Sequence, residues 1–237
     1  TYGAHDGTSL LERYIDDVAN LGRTSICVGA GNEGNAAGHT AGRLESYETK
    51  EIELGVQSRQ TAMNIQIWKT YADQVRISLI TPSGVRSAPI QEVRGTQRMR
   101  IGSTEILVYY GEPSPHSLSQ EIFIDLLPAE TYIAPGVWTI LLETGRVVDG
   151  RYQMWLPSEA ALNPGTGFLL PSEEDTFTIP STASRGITVG AYDALTFTYA
   201  DFSGRGGEGE GYRTKPDLAA PGVGIMTRAP GGTVTAV

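Results

Sequence analysis

Between Thr8 and Leu21 the apolar residues recur at helical spacing, with Leu11, Tyr14, Ile15, Val18 and Leu21 on one face and Arg13, Asp16, Asp17 and Asn20 on the other. Ser9 and Glu12 stand three apart, the spacing of a capping box, and Gly22 suits the left-handed residue after a helix end. The run from Ser25 to Ala30 then shows no polar alternation, which predicts a short strand covered on both faces and ending in the glycine-rich turn Gly31-Asn32-Glu33-Gly34-Asn35. Helix followed by buried strand is half of a parallel α/β unit. Ala36 to Gly42 reads as a loop.

From Leu44 the period changes to two. Met63, Ile65 and Ile67 alternate with Asn64, Gln66 and Trp68, and Val75, Ile77 and Leu79 alternate with Arg76 and Ser78. Ile122, Ile124 and Leu126 alternate with Phe123 and Asp125, and further strands are expected at 106–110, 138–143 and 152–156. Turn signals separate them at Pro82-Ser83-Gly84, Gly111 to Pro115, Pro135-Gly136 and Asp149-Gly150. Many short strands without helices predict a β-sandwich, with a jelly roll as the leading version. The basic residues Arg94, Arg98 and Arg100 are read as a charged loop or edge strand. Near Thr176 the α/β character resumes, through Ile187 to Asp193 and Phe197 to Phe202, and the chain reaches Pro216-Asp217-Leu218-Ala219-Ala220-Pro221-Gly222 before ending at Val237.

Composition narrows the function classes. At 237 residues the chain is long enough for a substantial core. Acidic residues exceed basic ones, 27 against 18, for a net charge of −9, and no basic cluster tracks a phosphate backbone, which argues against nucleic-acid binding. No stretch is long and apolar enough for a membrane helix, so no membrane partner is expected. The lone Cys27 has no disulfide partner within the chain and reads as a small core residue. The first residue is Thr1 rather than Met, which suggests a processed or excised piece of a longer protein.

The segment Gly29-Ala30-Gly31-Asn32-Glu33-Gly34 resembles the part of subtilisin-like serine proteases, the subtilases, that carries the oxyanion-hole asparagine. Ile179 to Ala183, Ile187 to Asp193, Phe197 to Gly204 and Pro216 to Gly222 resemble, in the same order, the segments between that asparagine and the nucleophilic serine. With a β-rich block between them, the layout is similar to the Csp group of clostridial subtilases, which act in spore germination. The resemblance implies a discontinuous, incomplete α/β parallel-sheet domain formed by residues 1–43 and 176–237, with an inserted all-β jelly-roll sandwich at 44–175. It also implies a spore-associated or extracytoplasmic setting and a protein or peptide substrate for the full-length parent, a serine-type endopeptidase.

Acyl transfer needs a nucleophile, a base, a group that orients the base, and donors for the oxyanion. By resemblance Asn32 supplies one such donor, and Ala30 and Gly31 line the pocket for the residue before the scissile bond. The plainer alternatives are a turn asparagine, and small residues chosen for close packing. None of the aspartate, histidine or serine motifs of the family occurs, so the piece is expected to be inactive alone, either because it is truncated before the serine or because the parent is a pseudoprotease. His5 adjoins Asp6 but lies outside any such motif, His39 and His116 read as structural or solvated, and Ser181 and Ser203 lie outside a nucleophile motif. Glu174, Asp175 and Asp201 do not cluster as a calcium loop would, so no metal and no cofactor are expected. A sheet lacking its first strands and the serine helix would expose apolar edges, so the flanking segments are expected to dock on the sandwich, pair with another copy or remain partly mobile. Trp68, Trp138 and Trp155 leave a carbohydrate-binding role open beside a scaffold role for the sandwich.

Overall fold

A computed structural model describes residues 3–112, 117–207, 214–229 and 232–236. His116, most of the expected turn before it and residues 208–213 lie outside the described residues. The chain divides into two compact units, Thr1–Ala36 with Glu173–Val237, and Ala37–Ser172.

The first unit opens with α1 (Leu10–Asn20), the one α-helix among the described residues. Its capping box forms as the spacing predicts: Ser9 Oγ accepts from the Glu12 amide at 3.3 Å, and the Glu12 carboxylate accepts from the Ser9 amide at 3.2 Å. Gly22 follows with a φ of +68°. The expected inward face is only partly covered: Ile15 and Val18 are half-buried, while Leu11, Tyr14 and Leu21 are 44%, 68% and 73% exposed. The helix is also held by its acids. Glu12 is fully buried and accepts from Thr182 Oγ1, and Asp16 accepts from the amides of Arg185 at 2.6 Å and Ser184 at 3.2 Å. The strand β1 (Cys27–Gly29) follows, and it too departs from expectation: Cys27 is exposed, so it is not a core residue, because among the described residues β1 pairs along one edge only.

The second unit contains β2 (His39–Arg43), β3 (Thr49–Val56), β4 (Met63–Thr70), β5 (Val75–Ile80), β6 (Thr96–Ile101), β7 (Thr104–Tyr110), β8 (Ser119–Pro128), β9 (Gly136–Thr144), β10 (Arg151–Trp155) and β11 (Gly167–Phe168). They form two open antiparallel sheets of order β2-β10-β4-β8-β7-β6 and β11-β3-β9-β5. From β2 to β5 successive strands alternate between the sheets, so each connection crosses the core. Period-two alternation sets the register: Met63, Ile65 and Ile67 face Leu126, Ile124 and Ile122 across β4 and β8, and all six are at most 3% exposed. Trp138 is enclosed by the same core and donates its indole N–H to the Ala134 carbonyl at 2.8 Å. The segment expected as a loop before Arg43 is β2, whose Gly42 lies beneath the Tyr152 ring, where a Cβ would come 2.6 Å from the phenol oxygen. Residues 39–43 are therefore part of the six-stranded sheet rather than of the preceding segment.

The first unit resumes with β12 (Ile187–Asp193), β13 (Thr198–Tyr199), β14 (Leu218–Pro221) and the hairpin β15 (Ile225–Ala229) and β16 (Gly232–Ala236). β12 pairs in parallel with β1 on one side and β14 on the other, while β13 folds back antiparallel on its end. Lys215 and Asp217 fasten β14 to β12. Lys215 Nζ donates to Gly186 O, Thr188 Oγ1 and Asp217 Oδ2 at 2.7 to 2.8 Å, and the Thr188 amide donates to Asp217 Oδ2 at 2.7 Å.

Candidate oxyanion turn

The turn after β1 is fixed by its backbone. The Ala30 amide donates to Val189 O at 2.9 Å, continuing the parallel ladder one residue beyond β1. Ala30 O accepts from the Thr178 amide at 3.2 Å, Gly31 O accepts from the Gly204 amide at 2.9 Å, and the Gly34 amide donates to Phe202 O at 2.8 Å. Two glycines allow this closeness. Gly31 has a φ of +92°, and a Cβ on Gly34 would lie 2.8 Å from Asp201 O.

Asn32 stands between these anchors, exposed, and its carboxamide has no hydrogen-bond partner among the described residues. The turn therefore presents an amide donor on a held backbone. Ala30 is only 2% exposed, so of the two small residues expected beside Asn32 it is Gly31 that offers surface.

His5 Nδ1 lies 2.7 Å from the Phe177 carbonyl, one residue from the Thr178 that grips Ala30. Burial lowers its pKa to about 4, outweighing that carbonyl, which favours the protonated ring. The Asp6 carboxylate accepts from the Thr8 amide at 3.0 Å and the Thr8 hydroxyl at 2.5 Å. His39 is buried in the second unit and stacked on Trp155, ring centroids 4.7 Å apart. Ser181 and Ser203 are both buried; the first donates to Thr178 O at 2.5 Å and the second to Tyr199 Oη at 2.9 Å. Ser203, Tyr199 and Thr178 thus support the turn, a role that sequence reading missed because it depends on which backbone carbonyls the fold brings within reach.

Among the described residues no three His, Cys, Asp or Glu side chains gather as metal ligands, and no helix is long and apolar enough to cross a membrane. Burial raises the Asp175 pKa, and Asp175 lies against Gly207 in a left-handed conformation with φ of +55°. Of the tryptophans, Trp138 and Trp155 are buried and Trp68 is half-buried, so they form no exposed stacking platform.

No protein-family model and no curated protein matches the chain. Among solved structures, the CspB protease of Clostridium perfringens matches it with a TM-score of 0.89 and 33% sequence identity, over 98% of this chain and 48% of that one. The chain is thus similar, along nearly its whole length, to a stretch spanning about half of a clostridial protease.

Proposed function

We propose that these residues are the oxyanion-hole portion and inserted jelly roll of a Csp-like subtilisin-type serine endopeptidase, with Asn32 as the side-chain donor to the tetrahedral intermediate. The observation that carries this reading is the exposed Asn32 carboxamide on a turn held by four backbone hydrogen bonds, in a chain similar to a protease. An oxyanion donor has to be in place before charge develops, so a fixed backbone beneath a free amide is the arrangement the chemistry requires. Gly31, the more exposed of the two small residues beside Asn32, forms the adjoining wall for a peptide substrate. The family's aspartate, histidine and serine motifs are absent from the 237 residues, so this chain alone does not hydrolyse peptides.

The test is peptidase kinetics on the gene-encoded protein containing these residues. Asn32→Ala should lower kcat by about 10²–10³ with little change in KM, a magnitude that itself comes from subtilisin. Unchanged kcat in that variant, or hydrolysis by the 237-residue chain by itself, would overturn the reading.

A further inference from the structure

The strip Phe202–Gly204 touches the Asn32 turn at both ends, through Phe202 O with the Gly34 amide and through the Gly204 amide with Gly31 O. A relay of hydroxyls grips the strip from its other side. The Ala191 amide of β12 donates to Ser203 Oγ at 2.9 Å, Ser203 Oγ donates to Tyr199 Oη at 2.9 Å, and Tyr199 Oη donates to Gly204 O at 2.7 Å. Each hydroxyl has one proton, and the relay uses each once and in one direction. Ser203 is 1% exposed. The hydroxyl end of the Tyr199 ring packs closely against Gly190, where a Cβ would come 2.8 Å from Cε2. A Cβ on Gly204 would lie 3.0 Å from Ala30 C, so the strip sits directly on the turn.

We infer that Tyr199 and Ser203 are positioning residues for Asn32: they fix the carbonyl and amide of Gly204 and so set the height and direction of the turn that presents the carboxamide. This rests on Asn32 acting as the oxyanion donor. The physical reason is that a donor displaced by a fraction of an ångström loses its advantage in the transition state while substrate binding is little affected. Neither side chain needs to touch substrate.

Two readouts separate this inference from the reading beneath it. The first is amide hydrogen exchange on the intact chain. Tyr199→Phe and Ser203→Ala should each accelerate exchange at Gly34 and Gly204 by about tenfold, the loss of roughly one hydrogen bond. Ile187, bonded to Ile26 O, should be unchanged, and Thr198→Ala on the same strand should have no effect at either glycine. The second is kinetics on the gene-encoded protein, where Tyr199→Phe should lower kcat and leave KM unchanged, with no further loss when combined with Asn32→Ala. Unchanged exchange at Gly34 in both variants overturns the positioning role. So does a kcat loss fully additive with Asn32→Ala. If Asn32→Ala is itself without effect on kcat, the oxyanion reading fails, and the exchange result still decides whether the relay holds the turn.

Discussion

Gly31 and Thr178 leave no room for a methyl group between them: a Cβ on the glycine would come 2.6 Å from Thr178 Cγ2. With φ at +92° the glycine is also in a conformation that a side chain strains. Gly31→Ala should destabilise the chain by roughly 2–3 kcal/mol, from backbone strain and overpacking together. Thr178→Ala in the same molecule should recover only part of the packing cost, since the Cβ of residue 178 would still lie 2.9 Å from the new methyl. Urea denaturation of the two variants measures both, and full recovery would show that the backbone conformation costs nothing.

His5 predicts a pH dependence. Its pKa falls from an ordinary 6.5 to about 4 on folding, so between those values the unfolded chain binds more protons than the folded one. The stabilisation is present in full above pH 6.5 and is lost as pH falls toward 4, by at most about 3 kcal/mol. In His5→Gln the part of the stability slope that lies in this window should disappear. Chemical denaturation at stepped pH reads the slope directly.

Lys215 predicts a local failure of the parallel ladder. Its ammonium group, with the side chain 6% exposed, satisfies three acceptors at once. Lys215→Met fills similar volume but strands Gly186 O and leaves the Asp217 carboxylate without its cation. The expected loss is about 2–3 kcal/mol, with hydrogen exchange rising first at Thr188, whose amide donates to that carboxylate. Burial alone would raise the Asp217 pKa, but its bonds to Lys215 and the Thr188 amide hold it below the ordinary value. The mutant should therefore also lose part of the stability that falls away as the wild type is acidified through this depressed pKa.

Ile65 and Ile124 predict how much of the second unit's stability sits at one register pair. They face each other across β4 and β8, and neither exceeds 1% exposure. Ile65→Ala should cost about 3–4 kcal/mol. Residues 37–172 expressed alone should unfold in one cooperative transition, because their core is drawn from both sheets of the same unit. A broad, non-cooperative melt of that segment would count against an autonomous sandwich.

Legibility from sequence differed sharply between the two units. Where strands carry strict alternation, as in β4, β5 and β8, one face of each strand could be assigned residue by residue. β2 and β3 were missed for physical reasons: His39-Thr40-Ala41-Gly42-Arg43 lacks alternation and strands only because β10 pairs with it, and Thr49 to Glu51 is charged at the edge where β3 begins. The capping box of α1 is a purely local signal and was readable. Which face of that helix is covered was not, since Leu11 and Tyr14 look inward by periodicity and are exposed among the described residues. At the candidate site, Asn32 stood out because its glycine-rich surroundings form a motif. Tyr199 and Ser203 did not, because their roles arise from a hydroxyl relay to the Ala191 amide and the Gly204 carbonyl, which no spacing encodes.

At the base of the sandwich the chain enters and leaves through one clasp: the Phe168 amide donates to Ala37 O and the Ser172 amide to His39 O, both at 2.8 Å. Loop-closure entropy grows with the length of the loop, and a long unstructured insertion would carry that cost for whatever flanks it. Residues 37–172 tie their own ends together as they fold, so the sequences on either side are linked across a short span instead of through a long coil. Replacing residues 37–172 with a few glycines should then leave the flanking connection entropically almost unchanged, which makes the position a natural port for exchanging one folded cassette for another.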